Sequence, residues 1–91
     1  MPEAAREVPL TNQYGLHARP ASRIVGIATR YRSDVTLSNG AGRAVNAKSI
    51  LEVLTLAAGT GARLTIRAVG EDAEQVVTEI ADLVTMKFGE D

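Results

Sequence analysis

The chain alternates between two hydrophobic periods, and this alternation restricts the folds that it can adopt. Apolar and polar residues alternate, as in strands with one buried face, in three segments: 7–11, 34–38 and 62–69. A period near 3.6, typical of amphipathic helices, runs through three others: 20–31, 49–58 and 73–84. A short return strand over residues 43–46 completes the order βαββαβα. Because each strand has one apolar face, we predict an α+β sandwich with a single sheet and all the helices on one side.

Proline and glycine predict where several of these elements begin and end. Pro9 cannot donate a ladder hydrogen bond, so the first strand should lie at an edge of the sheet. Pro20 is tolerated only in the first turn of a helix, so the first helix should begin just before it. Gly15 lies in the connecting loop and is free to take a positive φ. Asn39-Gly40 is typical of a hairpin turn.

The second helix is unusually apolar for a surface helix. Ser49 and Glu52 have the spacing of a capping box, in which each side chain accepts a hydrogen bond from the other residue's backbone N–H. Apolar side chains then follow at five positions: Ile50, Leu51, Val53, Leu54 and Leu56. A helix this apolar should leave part of that surface exposed, which makes it a candidate docking patch.

The composition excludes several classes of chemistry. The 91 residues contain no cysteine, which excludes disulfides, thiolate metal sites and cysteine nucleophiles. One histidine without clustered carboxylates supplies too few metal ligands, so we expect no metal and no cofactor. No phosphate-binding P-loop or nucleophile-elbow motif occurs, and no aromatic residue lies on a predicted strand as nucleic-acid binding would require. No segment resembles a membrane span or signal peptide, so we expect one cytoplasmic domain over residues 1–91.

The formal net charge of −1 conceals an uneven distribution. Residues 1–70 carry nine basic and four acidic side chains, whereas residues 71–91 carry one basic and seven acidic ones. Such asymmetry is typical of a basic working surface that meets acidic partners. The acidic end is equally well explained as the solvated face of a C-terminal helix.

The single histidine, His17, lies where the chain enters the first helix. Helix N-termini present N–H groups without intrahelical acceptors and a partial positive charge, and they bind phosphate. Arg19 adds a planar guanidinium that suits phosphoryl oxygens. Because both features disfavour imidazolium, we expect a neutral imidazole that can attack phosphorus and form a phosphohistidine. On position alone, a lone histidine where a loop enters a helix is more often an ordinary surface or capping residue.

Two segments resemble the signatures of a known family. Gly15–Ala21, with the sequence GLHARPA, resembles the active-site segment of HPr, the histidine-containing phosphocarrier of the bacterial phosphoenolpyruvate-dependent sugar phosphotransferase system. Asn46–Ile50, with the sequence NAKSI, resembles that family's regulatory serine segment. The resemblance covers essentially residues 5–88. It implies an open-faced βαββαβα sandwich, with a four-stranded antiparallel sheet of order 1-4-2-3 and three helices on one face.

The resemblance also implies roles for individual residues. His17 matches the histidine that accepts a phosphoryl group on Nδ1 from phospho-Enzyme I and passes it to the IIA domains of sugar permeases. Ala18 and Arg19 match the residues beside the phosphoryl group. Ser49 matches the serine that HPr kinase/phosphorylase modifies with ATP in some bacteria. Docking of partners is expected at five positions: Pro20, Arg23, Ile50, Leu51 and Leu54.

The implied protein is a phosphoryl carrier and not a stand-alone enzyme. We expect a monomer that meets Enzyme I, IIA domains and, where Ser49 is modified, the kinase and a transcription regulator. Two alternatives stay open: a carrier in a regulatory, nitrogen-type phosphorelay, and a regulatory module controlled at Ser49 alone. Glu52 departs from the small residue that many relatives have, and its negative charge beside Ser49 disfavours a phosphoserine there. Ser49 is equally well explained as a plain helix N-cap.

Overall fold

A computed structural model describes residues 1–40 and 43–89 and shows the predicted element order. The strands are β1 (Glu3–Pro9), β2 (Asp34–Ser38), β3 (Val45–Asn46) and β4 (Arg63–Val69). The α-helices are α1 (Ala18–Ala28), α2 (Ile50–Leu54) and α3 (Ala73–Thr85), and a 3-10 turn at Lys87–Gly89 follows α3. Within the described ranges no helix is both long and apolar enough to cross a membrane.

The four strands form one antiparallel sheet in the order β1-β4-β2-β3. This confirms the order that the resemblance implies. β1 pairs with β4 over its whole length, from Glu3 opposite Val69 to Pro9 opposite Arg63. Because β4 is the only neighbour of β1 in this sheet, Pro9 lies in an edge strand, as its missing N–H predicts.

The first strand begins earlier than predicted. It runs over Glu3–Pro9 and not over residues 7–11. Ala4 and Ala5 have low strand propensity, so the strand is stabilised by its pairing with β4 and cannot be recognised locally. Leu10 leaves the ladder but remains bonded to the loop before β4, through its N–H to the Ala62 carbonyl at 2.8 Å.

Both of the first two helices end earlier than predicted. α1 ends at Ala28, where the hydroxyl of Thr29 donates back to the carbonyl of Val25 at 2.9 Å. α2 ends at Leu54 and does not extend to residue 58. There the hydroxyl of Thr55 donates to a carbonyl of the preceding turn at 2.6 Å. A hydroxyl that bonds to the preceding turn competes with the helical ladder, and the propensity pattern does not reveal it.

The predicted hairpin after β2 is shorter than expected. Gly40 has a φ of +91°, which suits the turn signal of Asn39-Gly40. The return strand β3 covers Val45–Asn46 and not residues 43–46. Residues 41–42, which the predicted turn also involves, lie outside the described residues.

The core is a single layer between the sheet and the helices. On β4 the residues facing inward are fully buried, namely Leu64, Ile66 and Ala68. The helices cover them with buried side chains of α1 and α3: Ala21, Ile24, Ala28, Ala73, Val76, Val77, Ile80, Ala81, Leu83 and Val84. Each fully buried Leu, Ile or Val contributes roughly 1.5–3 kcal/mol relative to an exposed one. This layer fixes the direction of α1 and the place of its N-terminus.

Several charges of the basic segment are paired within the fold. On the open face of the sheet, Arg63 bonds to Glu7 at 2.8 Å and Arg67 bonds to Glu3 at 2.6 Å. Arg30, two residues after the end of α1, pairs with Glu79 of α3, which links a basic side chain of residues 1–70 to the acidic helix. Exposed pairs of this kind contribute about 0–1 kcal/mol each, so they adjust the surface charge more than they hold the fold.

Asp72 connects the start of α3 to the loop before β2. Its carboxylate accepts hydrogen bonds from the backbone N–H groups of Arg32 and Ser33, each at 3.0 Å, and from the Ser33 hydroxyl. The Ser33 hydroxyl first, and then the Arg32 N–H, hold the pKa of Asp72 below its ordinary value. Since the folded pKa is depressed, these bonds stabilise the fold above the unfolded pKa and are lost as the pH falls through the folded pKa.

We therefore expect Asp72→Asn to lower the free energy of unfolding near neutral pH. The deficit should begin to shrink as the pH falls below about 4, where the carboxylate of the unfolded chain becomes protonated. It should shrink further as the pH passes through the lower folded pKa of Asp72. Urea unfolding of both proteins across that range measures the gap. A gap that is independent of pH would mean that the charge of Asp72 does not stabilise this junction.

Candidate functional site

His17 is the N-cap residue of α1. Its backbone is extended, with φ −91° and ψ −170°, and its carbonyl accepts the first helical hydrogen bond from Ala21 at 3.0 Å. The side chain does not cap the helix. The residue is half-buried, so part of it meets solvent at the entrance of α1. The backbone of His17 thus places the imidazole at the helix N-terminus, without a capping bond from the side chain.

The loop before His17 is bonded to the loop between α2 and β4. Asn12 is fully buried, and its side-chain amide donates to the carbonyl of Gly15 at 2.7 Å. The hydroxyl of Thr60 lies 2.7 Å from the carbonyls of both Asn12 and Gln13. The N–H of Leu16 donates to the carbonyl of Ala58 at 2.9 Å. Neither Asn12 nor Thr60 was predicted to support the site, although an Asn three residues before a Gly is a recognisable β-turn signal.

Gly15 allows the two loops to approach closely. Its φ is +66°, and a Cβ built on it would lie 2.6 Å from the carbonyl oxygen of Ala58 and 2.8 Å from the Cα of Gly59. Real Cβ atoms essentially never come so close to backbone atoms. Glycine is therefore required here by both conformation and space, and the positive φ expected from the sequence is confirmed.

The first turn of α1 offers groups that suit a phosphoryl anion. Ala18 and Arg19 are exposed, and their backbone N–H groups lie in the first turn, which offers them no intrahelical acceptor. This turn lies wholly within the described residues and contains no acidic side chain. Backbone N–H groups, the positive end of the helix dipole and the guanidinium of Arg19 would all favour added negative charge beside His17.

The predicted docking residues differ in their exposure. On α2, Leu51 is 76% exposed and Ile50 and Leu54 are each 37% exposed. Arg23 on α1 is exposed, and its guanidinium donates to the carbonyl of Phe88 in the C-terminal turn. Pro20 is buried, which does not fit its predicted place on a docking surface. Its fixed φ suits the helix start, and its ring lies inside the protein.

Ser49 is the N-cap of α2, and the predicted capping box is only half formed. The Ser49 hydroxyl accepts from the N–H of Glu52 at 3.3 Å. The carboxylate of Glu52 accepts from the N–H of Asn46 at 3.0 Å and not from that of Ser49. The Ser49 N–H already donates to the Asn46 carbonyl at 3.1 Å, which explains the difference.

Comparisons with known proteins identify relatives of this chain. The family described as "PTS HPr component phosphorylation site" matches residues 4–86. The chain is 40% identical over 85 residues to the phosphocarrier protein HPr of Xylella fastidiosa (strain Temecula1), of which it covers 94%. It is 37% identical over 86 residues to the multiphosphoryl transfer protein of Salmonella typhimurium, and it spans 23% of that protein's length.

Solved structures of related proteins share the fold. HPr-C-His from Thermoanaerobacter tengcongensis superposes with a TM-score of 0.88 at 34% identity, covering 100% of this chain and 99% of that one. A structure described as an HPr dimer from the same organism superposes with a TM-score of 0.76 at 35% identity, covering 91% and 94% of the two chains. The family match, the identities and the shared fold together show that this chain belongs to the HPr family of phosphocarrier proteins of the phosphotransferase system.

Proposed function

We propose that this protein carries a phosphoryl group on His17 between phospho-Enzyme I and the IIA domains of sugar permeases. The observation that carries the proposal is the place of His17, half-buried at the N-cap of an α-helix whose first turn contains no acidic residue. The donor and the acceptors are those that the resemblance to the HPr family implies, and the chemistry is argued from the site.

The transfer needs no cofactor within this chain. Nδ1 of His17 attacks the phosphorus of the donor's phosphohistidine, and a P–N bond to His17 forms while the P–N bond to the donor breaks. The second transfer reverses the roles, because the nucleophile of the IIA domain attacks and the imidazole of His17 leaves. The protein is a covalent intermediate between two partners and, in this proposal, not an enzyme with a substrate of its own.

Arg19 and the first-turn N–H groups stabilise the phosphoryl oxygens during both transfers. The phosphoryl group adds about two negative charges at neutral pH. A helix N-terminus and a guanidinium are among the groups that best accommodate such charge. Both are accessible at the end of α1, so they can act when a partner covers the site.

Partners dock on the exposed face of α2 and the adjoining surface of α1. Ile50, Leu51 and Leu54 expose apolar surface there, and contiguous exposed apolar surface marks protein interaction sites. The basic side chains of residues 1–70 increase the rate of encounter with acidic partners more than they set the affinity. Ser49 lies at the start of this face, so its phosphorylation would place negative charge on the docking surface.

The proposal is tested by incubating the purified chain with Enzyme I and labelled phosphoenolpyruvate. We expect one acid-labile, base-stable phosphate per chain, and none when Enzyme I is omitted. Running the assay with Enzyme I of the sugar branch and of the nitrogen branch shows which donor is used. No label from either Enzyme I, together with an acid-stable label from ATP and the kinase, would overturn the carrier role in favour of a module controlled at Ser49.

A further inference from the structure

An exposed aromatic ring stands beside the imidazole of His17. The Tyr14 side chain is 70% exposed. Its ring centroid lies 6.1 Å from that of His17, and the two ring planes meet at 86°. This is an edge-to-face arrangement, at a separation where aromatic pairs attract each other.

Burial does not explain why a large ring occupies this position. A ring that is mostly exposed gains little from the removal of apolar surface from water. Tyr31 provides a contrast within the same chain, because it is half-buried, packs against the core and donates its hydroxyl to Glu79. Among the described aromatic side chains, Tyr14 is the one that contacts the proposed acceptor ring.

The backbone on both sides of Tyr14 is fixed. The carbonyl of Gln13 accepts from the hydroxyl of Thr60 at 2.7 Å, and the carbonyl of Gly15 accepts from the amide of Asn12 at 2.7 Å. The ring therefore projects from a held segment and not from a loose one. Because the backbone that carries it is fixed, the Tyr14 ring limits the directions in which the neighbouring imidazole can turn.

We propose that Tyr14 is a positioning residue for His17. Its ring restricts the imidazole to a subset of rotamers before the donor arrives, so a larger fraction of encounters has the nitrogen correctly directed. The inference rests on the proposed role of His17 as the acceptor. It assigns the effect to the aromatic ring of Tyr14 and not to its hydroxyl.

Two substitutions separate the ring from the hydroxyl. Tyr14→Phe retains the ring, whereas Tyr14→Leu removes it and keeps an apolar side chain of moderate size. Met86→Ala is the control, since it shortens another large apolar side chain that is 65% exposed, at the end of α3. Because Tyr14 and Met86 are both mostly exposed, we expect all three variants to fold.

The first readout is NMR of the unphosphorylated protein. In wild type, Tyr14→Phe and Met86→Ala, the imidazole protons of His17 should show ring-current shifts and the couplings of a restricted side chain. In Tyr14→Leu the ring-current shifts should shrink and the couplings should move toward averaged values. The second readout is transfer from Enzyme I, where kcat of Tyr14→Leu should fall about 2- to 10-fold at unchanged KM, the factor that an edge-to-face pair supplies.

Three results would overturn the inference. Tyr14→Leu could leave the couplings and kcat as in wild type, Tyr14→Phe could behave like Tyr14→Leu, or the variants could change KM alone, as a partner contact would. Failure of the wild-type protein to accept phosphate would instead contradict the proposed function. The NMR readout would then still decide whether Tyr14 restricts the imidazole.

Discussion

Replacing His17 by alanine should reduce the label taken from phospho-Enzyme I to background, the largest functional loss that we expect from any single change. The sequence contains no second histidine, so no other imidazole can accept the group. The first-turn N–H groups and Arg19 remain in this variant, and it therefore retains the electrostatic part of the site without the nucleophile. Acid-labile, base-stable phosphate per chain is the quantity to measure.

The His17→Ala variant should remain folded, which makes the loss interpretable. The side chain of His17 does not cap α1, and the bonds from its N–H to Gly15 and from Ala21 to its carbonyl use backbone atoms alone. Circular dichroism should therefore match the wild-type spectrum. Label that persists in a folded His17→Ala protein would show that another residue is the acceptor.

Ser49→Ala is the matched control for this assay. It removes the bond from the Glu52 N–H to the Ser49 hydroxyl, so it should cost roughly 0.5–2 kcal/mol of stability. It should nevertheless accept as much phosphate from Enzyme I as the wild type does. Equal loss of label in both variants would indicate that the assay reports damage to the fold and not removal of the acceptor.

Much of the fold could be predicted from the sequence because three strands and three helices can each be recognised by a single apolar face. β4 is the clearest example, since Leu64, Ile66 and Ala68 alternate with polar residues and are fully buried. The N-terminal half of β1 could not be found in this way. Its alanines favour no strand, and it is ordered by pairing with β4, which lies far away in the sequence.

The chemistry of the candidate site could be predicted from the sequence. The contacts that hold the site in place could not. His17 and Arg19 were identified because a histidine and an arginine at a helix start point to phosphate chemistry, and because the surrounding segment resembles a family signature. The bonds from the Thr60 hydroxyl to Asn12 and from the Leu16 N–H to Ala58 fix the preceding loop, and each joins residues more than forty positions apart. The burial of Pro20 was also missed, because the apolar periodicity of α1 does not show how completely its first turn is covered.

Replacing Gly15 by alanine should destabilise the protein more than any other change discussed here and should displace the proposed acceptor. A non-glycine residue at a φ of +66° costs about 1–3 kcal/mol. The new Cβ would also lie 2.6 Å from the Ala58 carbonyl oxygen, and forcing backbone apart in a close-packed region costs roughly another 1–3 kcal/mol. Urea unfolding measures the total, and the rate of transfer from Enzyme I should fall with it because the loop before His17 moves.

Gly61→Ala separates the two contributions to this loss. Gly61 has a φ of +92°, but a Cβ built on it meets no atom within 4 Å, so its substitution should cost the conformational part alone. The difference between the two losses of unfolding free energy then measures the steric cost of placing a Cβ against residues 58–59. Equal losses in both variants would contradict the steric argument, and an undisturbed transfer rate in Gly15→Ala would show that the close approach of the two loops does not position His17.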